Sequence, residues 1–271
     1  MNTQKSRASV FAQSFALMLA LLLSLCAFAG CAKPAETETR TFTVGFDAEF
    51  PPYGYMDANG EYTGFDLEMA AALCDRLGWE IKLAPINWDS KDMELESGSI
   101  DCIWNGFTIN DREDLYAWTD PYMDNSQVFV VRAADGIQNQ ADLAGKTVTV
   151  QMESSAQAAL EEEENAALAA TFGSLLTCKD YNTAFMELES GAVDAIAMDI
   201  GVARFQMESR EDQFAILADA LQAEQYAVGF YLENTELRDQ VQAELLKMAE
   251  DGTFAEISNK WFGYDVCTLG K

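Results

Sequence analysis

Histidine is absent from these 271 residues, and cations are scarce: 17 Lys and Arg stand against 45 Asp and Glu, a formal charge of −28. Without histidine, His-dependent nucleophilic triads and the usual zinc sites are excluded, and any proton chemistry falls to carboxylates. The acidic excess repels nucleic acid and anionic lipid, which excludes a DNA- or RNA-binding role. Only five prolines occur, two of them adjacent at Pro51 and Pro52. The six cysteines show no CxxC spacing, so no metal cluster is expected, and nothing in the composition calls for a cofactor. Long apolar runs are confined to one, Val10 to Phe28, and no other stretch could span a bilayer.

That run follows basic Lys5 and Arg7 and ends in Phe28-Ala29-Gly30-Cys31, the layout of a secretory leader with small residues before the cut. It resembles a bacterial lipoprotein signal (residues 1–30) in which Cys31 becomes the lipidated first residue, although Phe28 stands where leucine is usual. A plain transmembrane anchor is the rival reading; the polar linker at residues 31–40 favours cleavage and a tether. Acyl chains hold a protein to a bilayer by about 0.8 kcal/mol per buried methylene. Removing the leader takes Lys5 and Arg7 and leaves a formal charge of −30. Of the remaining cysteines, Cys74, Cys102, Cys178 and Cys267 allow three pairings outside the cytoplasm, and spacing does not choose among them. Cys74 on a helix face and Cys102 on a strand also read as plain core thiols.

What the chain does contain is a repeated phrase. MELESGSIDCI from Met93 recurs as MELESGAVDAI from Met186. Each reads as a helix end, a glycine stop and a buried strand. The first continues into Trp104-Asn105-Gly106-Phe107-Thr108, the second into Ala197-Met198-Asp199. A unit repeated once at this distance is no solenoid. It implies two lobes of similar build, each delivering polar groups at a strand end, where open α/β sheets bind ligands.

The rest of the chain fits an α/β fold. Thr41 to Phe46 reads as a strand, Asp47 to Gly54 as a loop, and Phe65 to about Leu77 as a helix stopped by Gly78. In that helix Phe65, Met69, Ala72, Leu73 and Leu77 share a face, and Asp66 and Glu68 suit the N-terminal dipole. Strands follow at Trp79 to Leu83, Gln127 to Arg132, Thr147 to Gln151, Val193 to Met198 and Ala227 to Leu232. Helical structure is expected at Asp142 to Lys146, after Ser155 through the acidic run Glu161 to Glu164, at Tyr181 to Ser190, and from Thr235 to Trp261 around Asp251-Gly252. Gln127 to Arg132 and Ala227 to Leu232 read as crossings between lobes. The expected organisation is a first lobe at 41–124, a second at 125–225, and a return to the first at 226–271. Two lobes with paired crossings form a cleft that closes on something small.

Several segments together resemble the bacterial extracellular solute-binding proteins of family 3, the amino-acid receptors of ABC importers. They are FDAEFPPY from Phe46, GFDLEM from Gly64, WTDPY from Trp118, LAGK from Leu143 and DGTF from Asp251, in that order. The resemblance implies a type II periplasmic-binding-protein fold, two lobes with mixed, largely parallel sheets flanked by helices and joined by a two-strand hinge. It implies Arg112 as the clamp on a ligand α-carboxylate, one residue closer to Thr108 than in comparable members. It implies Asp199 as the partner of the α-ammonium, Gly106 and Thr108 adding bonds to it, and Ser154 and Ser155 offering helix-terminal N–H groups to the carboxylate. Phe50 and Trp88 correspond to aromatic walls, and Asp47 to a residue reaching the far end of a polar or basic side chain. Glu153 stands where the family often has glycine.

The function so implied is non-enzymatic: a monomeric, lipid-tethered receptor outside the cytoplasm that captures a polar or basic amino acid and presents it to a permease. The rivals are an enzyme on the same scaffold, such as a cyclohexadienyl dehydratase, and a sensory ligand-binding protein.

Overall fold

The computed structural model describes residues 39–271, and Arg40–Lys271 forms one compact unit. The leader and the lipidation expected at Cys31 lie outside the described residues. In chain order the first elements are β1 (Thr41–Phe46), β2 (Glu49–Phe50), β3 (Gly54–Met56), β4 (Tyr62–Thr63), α1 (Phe65–Leu77), β5 (Glu80–Pro85), α2 (Lys91–Glu96), β6 (Cys102–Ile103) and β7 (Ala117–Trp118). There follow β8 (Met123–Arg132), β9 (Thr147–Gln151), α3 (Ser155–Glu161), α4 (Glu163–Ala169), β10 (Ser174–Cys178), α5 (Tyr181–Ser190), β11 (Ala195–Asp199) and α6 (Ile200–Met207). The chain closes with β12 (Phe214–Ile216), β13 (Gln222–Tyr226), β14 (Gly229–Phe230), α7 (Thr235–Asp251) and α8 (Thr253–Phe262).

These elements build two main sheets, one per lobe. The first runs β5-β1-β6-β14-β7, with β1 parallel to β5 and β6 and the returning β14 antiparallel to its neighbours. The second runs β10-β9-β11-β8-β12. There β9 is parallel to β10 and β11, and the long β8 lies antiparallel to β11, β12 and β13. The chain therefore passes between sheets after β7 and again between β13 and β14. No helix among the described residues is long and apolar enough to cross a membrane.

The repeated phrase folds the same way twice. Gly98 and Gly191 end their helical segments at φ 73° and 80°, a left-handed backbone that glycine adopts without a Cβ penalty. Three residues later, Asp101 and Asp194 do one job. The backbone N–H of Asp101 donates to Thr43 O at 2.8 Å, and its carboxylate accepts from Thr43 N at 2.6 Å. Asp194 does the same with Thr147, at 2.8 and 2.9 Å. Each aspartate thus pins the start of a central strand, which explains why the phrase carries Asp at that place.

Helix α1 spans the expected residues and buries Phe65, Met69 and Leu73, with Gly78 closing it at φ 67°. Three expectations need correction. Asp47 to Gly54 contains β2 and the start of β3, part of a small antiparallel sheet. The second crossing is narrower than Ala227 to Leu232, since only Gly229–Phe230 is strand, and the preceding β13 was overlooked because Gln-Ala-Glu-Gln-Tyr is polar. Strand β10, Ser-Leu-Leu-Thr-Cys, has no period-two alternation to mark it, and its two leucines are exposed. The acidic run spans the break between α3 and α4, with Glu161, Glu163 and Glu164 exposed. Cys74, Cys102, Cys178 and Cys267 are buried free thiols.

Candidate functional site

Where the two lobes meet lies a small, nearly closed cleft lined by ten residues. Phe50, Trp88, Gly106, Thr108, Arg112, Ser154, Ser155 and Asp199 all line it, joined by Asn105 and Gln151. Eight of the nine residues expected at a ligand site thus converge from five separate chain segments. The ninth, Asp47, stands one shell back: its carboxylate accepts from Gln151 Nε2 at 2.6 Å and from the Glu49 N–H at 2.9 Å. Burial pushes Asp47 up to about 6.

The mouth carries the positive charge. Arg112 follows the β6 strand end, and its guanidinium donates to Thr108 O at 3.3 Å and to Glu153 O at 3.1 Å, 5.4 Å from the Phe107 ring centroid. Neither Glu113 nor Asp114 pairs with it among the described residues. Trp88 Nε1 donates to the same Glu153 carbonyl at 3.2 Å. Glu153 has φ 60°, a conformation that favours glycine, while its side chain turns outward to within 3.8 Å of Lys91 Nζ. Its carbonyl faces the cleft and its charge does not. Two side chains from the first lobe therefore fasten onto one carbonyl of the second.

Gly106 leaves little room for a side chain. Its φ is 56°, and an added Cβ would sit 3.0 Å from the Phe50 ring and 3.2 Å from the Tyr226 ring. Its N–H donates to Asp66 Oδ2 at 2.5 Å, and Tyr122 OH donates to Asp66 Oδ1 at 2.8 Å. Asp66 thus does more than suit a helix dipole: it holds the loop at the cavity, and burial pushes it up to about 7. Ser154 caps α3, its hydroxyl accepting from Gln157 N–H at 3.1 Å. Thr108 Oγ1 reaches across to Ser155 Oγ at 3.2 Å and to Glu224 Oε1 at 2.9 Å.

The floor carries the negative charge. Asp199, at the end of β11, is 3% exposed. Its Oδ1 accepts from Tyr226 OH at 2.6 Å and from the amides of Asn125 and Gln127, each at 2.8 Å. Burial first, and then the charge of Glu224, push Asp199 up to about 8. A buried anion in this setting is costly alone and is complemented by a cation. The arrangement can therefore grip an anionic group at its mouth and a cationic group at its floor, with aromatic rings between.

The model of the bacterial extracellular solute-binding proteins, family 3, matches residues 42–264. The chain belongs to this family. This solute-binding protein is 31% identical over 232 residues to the L-cystine-binding protein TcyJ of Escherichia coli (strain K12), covering 84% of this chain and 85% of the relative. It is 28% identical over 233 residues to the arginine-binding extracellular protein ArtP of Bacillus subtilis (strain 168), covering 84% and 88%. Among solved structures, an ABC uptake transporter substrate binding protein from Streptococcus pneumoniae with bound histidine aligns at TM-score 0.81. That pair is 33% identical and covers 84% of this chain and 94% of the other. The fold is that of the type II periplasmic amino-acid-binding proteins.

Within this family-3 chain, sequence reasoning overlooked the residues beneath the cavity. Asn125 and Gln127 lie on β8, Glu224 and Tyr226 on β13, and their side chains meet around Asp199. Both strands are crossings, where a polar inward residue breaks the alternation that marks a strand. Period two could have flagged Asn125 and Gln127 as sharing a face. Nothing local marked Glu224.

Proposed function

We propose that this protein is the extracytoplasmic receptor of an amino-acid ABC importer. It takes a free α-amino acid into the cavity between its lobes, residues 41–124 with 226–271 and residues 125–225. The single observation that carries this reading is the opposition of Arg112 at the mouth to Asp199 at the floor of one small cavity. An α-amino acid has a carboxylate for the first and an ammonium for the second. Arg112 would give the carboxylate two charged hydrogen bonds, helped by Ser154 and Ser155. Asp199, Gly106 and Thr108 would receive the ammonium. Phe50 and Trp88 would hold the side chain, and Gln151, backed by Asp47, would meet its far end, which favours polar or basic ligands over acidic ones. The cystine-, arginine- and histidine-binding relatives fit that preference.

Closure is a population shift driven by the ligand's greater affinity for the closed form. The Trp88 and Arg112 bonds to Glu153 O join the two lobes, so opening the cleft would have to break them. The protein delivers its cargo to membrane permease subunits, acts without catalysis and without a cofactor, and is held as a monomer by lipid on Cys31, at the outer face of the cytoplasmic membrane or in the periplasm.

The test is thermal unfolding of residues 32–271, refolded to strip carried ligand, against the twenty amino acids, ornithine and cystine. A ligand at a hundred times its dissociation constant adds about 2.7 kcal/mol to the folded state. A shifted midpoint with one or a few amino acids supports the receptor; no shift with any would point to the dehydratase reading or to a ligand that is not a simple amino acid.

A further inference from the structure

Asp199 lines the cavity floor, and directly beneath it lies a second carboxylate, Glu224, where a single ammonium would need only one. Glu224 is 3% exposed and Asp199 is equally buried. They share their donors. Asn125 Nδ2 lies 2.8 Å from Asp199 Oδ1 and 2.5 Å from Glu224 Oε1, and Gln127 Nε2 lies 2.8 Å from both. Two anions held around the same two nitrogens repel each other in a medium that screens poorly. The remaining acceptors there, Glu224 Oε2, Gln127 Oε1 and Asn125 Oδ1, are buried and have no hydrogen-bond partner. This pocket is therefore rich in acceptors and short of protons.

The charged and titratable surroundings are few. Arg112 faces the pair from across the cavity, and the phenols of Tyr53, Tyr181 and Tyr226 pack around it, all held neutral by burial. Asp66 lies behind Gly106 and Asp47 behind Gln151, while Lys91 and Glu153 neutralise each other at the mouth. Among the described residues no cation pairs with the second carboxylate.

We infer that Glu224 turns the ammonium site into a proton-exchange site: Asp199 carries a proton in the free protein and gives it up when a ligand's ammonium arrives. The exchange balances. The O–H bond of the Asp199 carboxylic acid breaks, its proton leaves to solvent, and the ligand's ammonium takes its place beside the carboxylate. No electrons move. The displacement of Asp199 to about 8 agrees with this. By linkage, a proton released on binding makes affinity fall roughly tenfold for each pH unit below that value, and flatten above it.

This inference rests on the amino-acid reading, so its test has two arms. In the first, without ligand, the carbon resonance of the Asp199 carboxyl is followed from pH 6 to 9 in the chain from residue 32. Titration near 8, moved down by at least one pH unit in Glu224→Gln, is expected. Titration below 6 in the wild-type chain would overturn the inference whatever the ligand proves to be. In the second arm, L-arginine, L-histidine and L-cystine are titrated calorimetrically at pH 7 in buffers of different ionisation enthalpy. Release approaching one proton per amino acid bound, cut to half or less in Glu224→Gln, is expected. Binding with no proton released would overturn the inference and leave the receptor standing. If no amino acid binds, it is the receptor reading that fails, and the first arm still decides the state of Asp199.

Discussion

The same eleven-residue phrase closes a helix and starts a strand in both lobes, yet the two copies end in opposite chemistry. In the first lobe the strand stops after Ile103, and the chain bends through Gly106 at φ 56° to present loop polar groups and, four residues past Thr108, a guanidinium. In the second lobe the strand runs on to Asp199, which buries a carboxylate at its tip. Up to the aspartate that pins the neighbouring strand, the scaffold is interchangeable. Beyond it, on the proposed reading, each lobe supplies one half of a receptor for a zwitterion, cationic from one side and anionic from the other.

The sharpest way to break that opposition is to remove one pole. Arg112→Ala is expected to weaken amino-acid binding by roughly a hundredfold or more, since two hydrogen bonds to a charged group contribute about 1.5–3 kcal/mol each. Its half-exposed side chain predicts an unchanged fold, checked by circular dichroism beside the titration. Retained affinity would mean the clamp lies elsewhere. Asp199→Asn should cost a similar factor through loss of the counter-charge to the ammonium. At pH 8 it should also raise the unfolding temperature of the unliganded chain, because an enclosed carboxylate is costly when nothing pairs with it. A lower unfolding temperature there would show that Asp199 supports the fold and not the ligand.

The floor and mouth should also part in their response to pH. Asp47, Asp66 and Asp199 are pushed up to about 6, 7 and 8 by burial, against an ordinary value of 3.8. A raised carboxyl stabilises the fold fully below its unfolded value, and that stability is lost as pH rises through the folded one. The unliganded protein is therefore expected to melt at progressively lower temperature from pH 5 to pH 8. Asp199→Asn should flatten the upper end of that slope by about 1 kcal/mol per pH unit. A melting temperature that rises with pH over this interval would contradict the burial assigned to these groups. The smallest effect belongs to the latch. Trp88→Phe keeps a ring at the cavity but removes the bond to Glu153 O, and about 0.5–1.5 kcal/mol lost from the closed form predicts at most about a tenfold weaker affinity. Weakening as severe as that of Arg112→Ala would make Trp88 part of the grip itself.

The comparison also explains what could be read from residues alone. Helix α1, the repeat and the second-lobe strand ending in Asp199 obey local rules: an apolar face, a glycine stop, a β-branched run. The family resemblance then placed Arg112, Thr108 and Ser155, which the fold gathers around one cavity. Asp47 was expected at the ligand and instead backs Gln151, a contact between residues 104 positions apart that no local pattern encodes. Glu224 was invisible for a related reason. It faces inward from a strand whose sequence is polar throughout, and only the pairing of β13 with β8 sets it beside Asp199. The cationic half was therefore legible and the anionic half only partly so, because its second carboxylate arrives by way of the hinge.

The most direct test of the account takes the amino acid that binds best and measures its affinity beside its α-carboxamide and its des-amino analogue, in one buffer at pH 7.5. If Arg112 holds the carboxylate and Asp199 the ammonium, each analogue should bind at least about a hundredfold more weakly than the parent, by the same hydrogen-bond reckoning. An analogue that binds as tightly as the parent would show that the corresponding pole of the cavity does not touch the ligand.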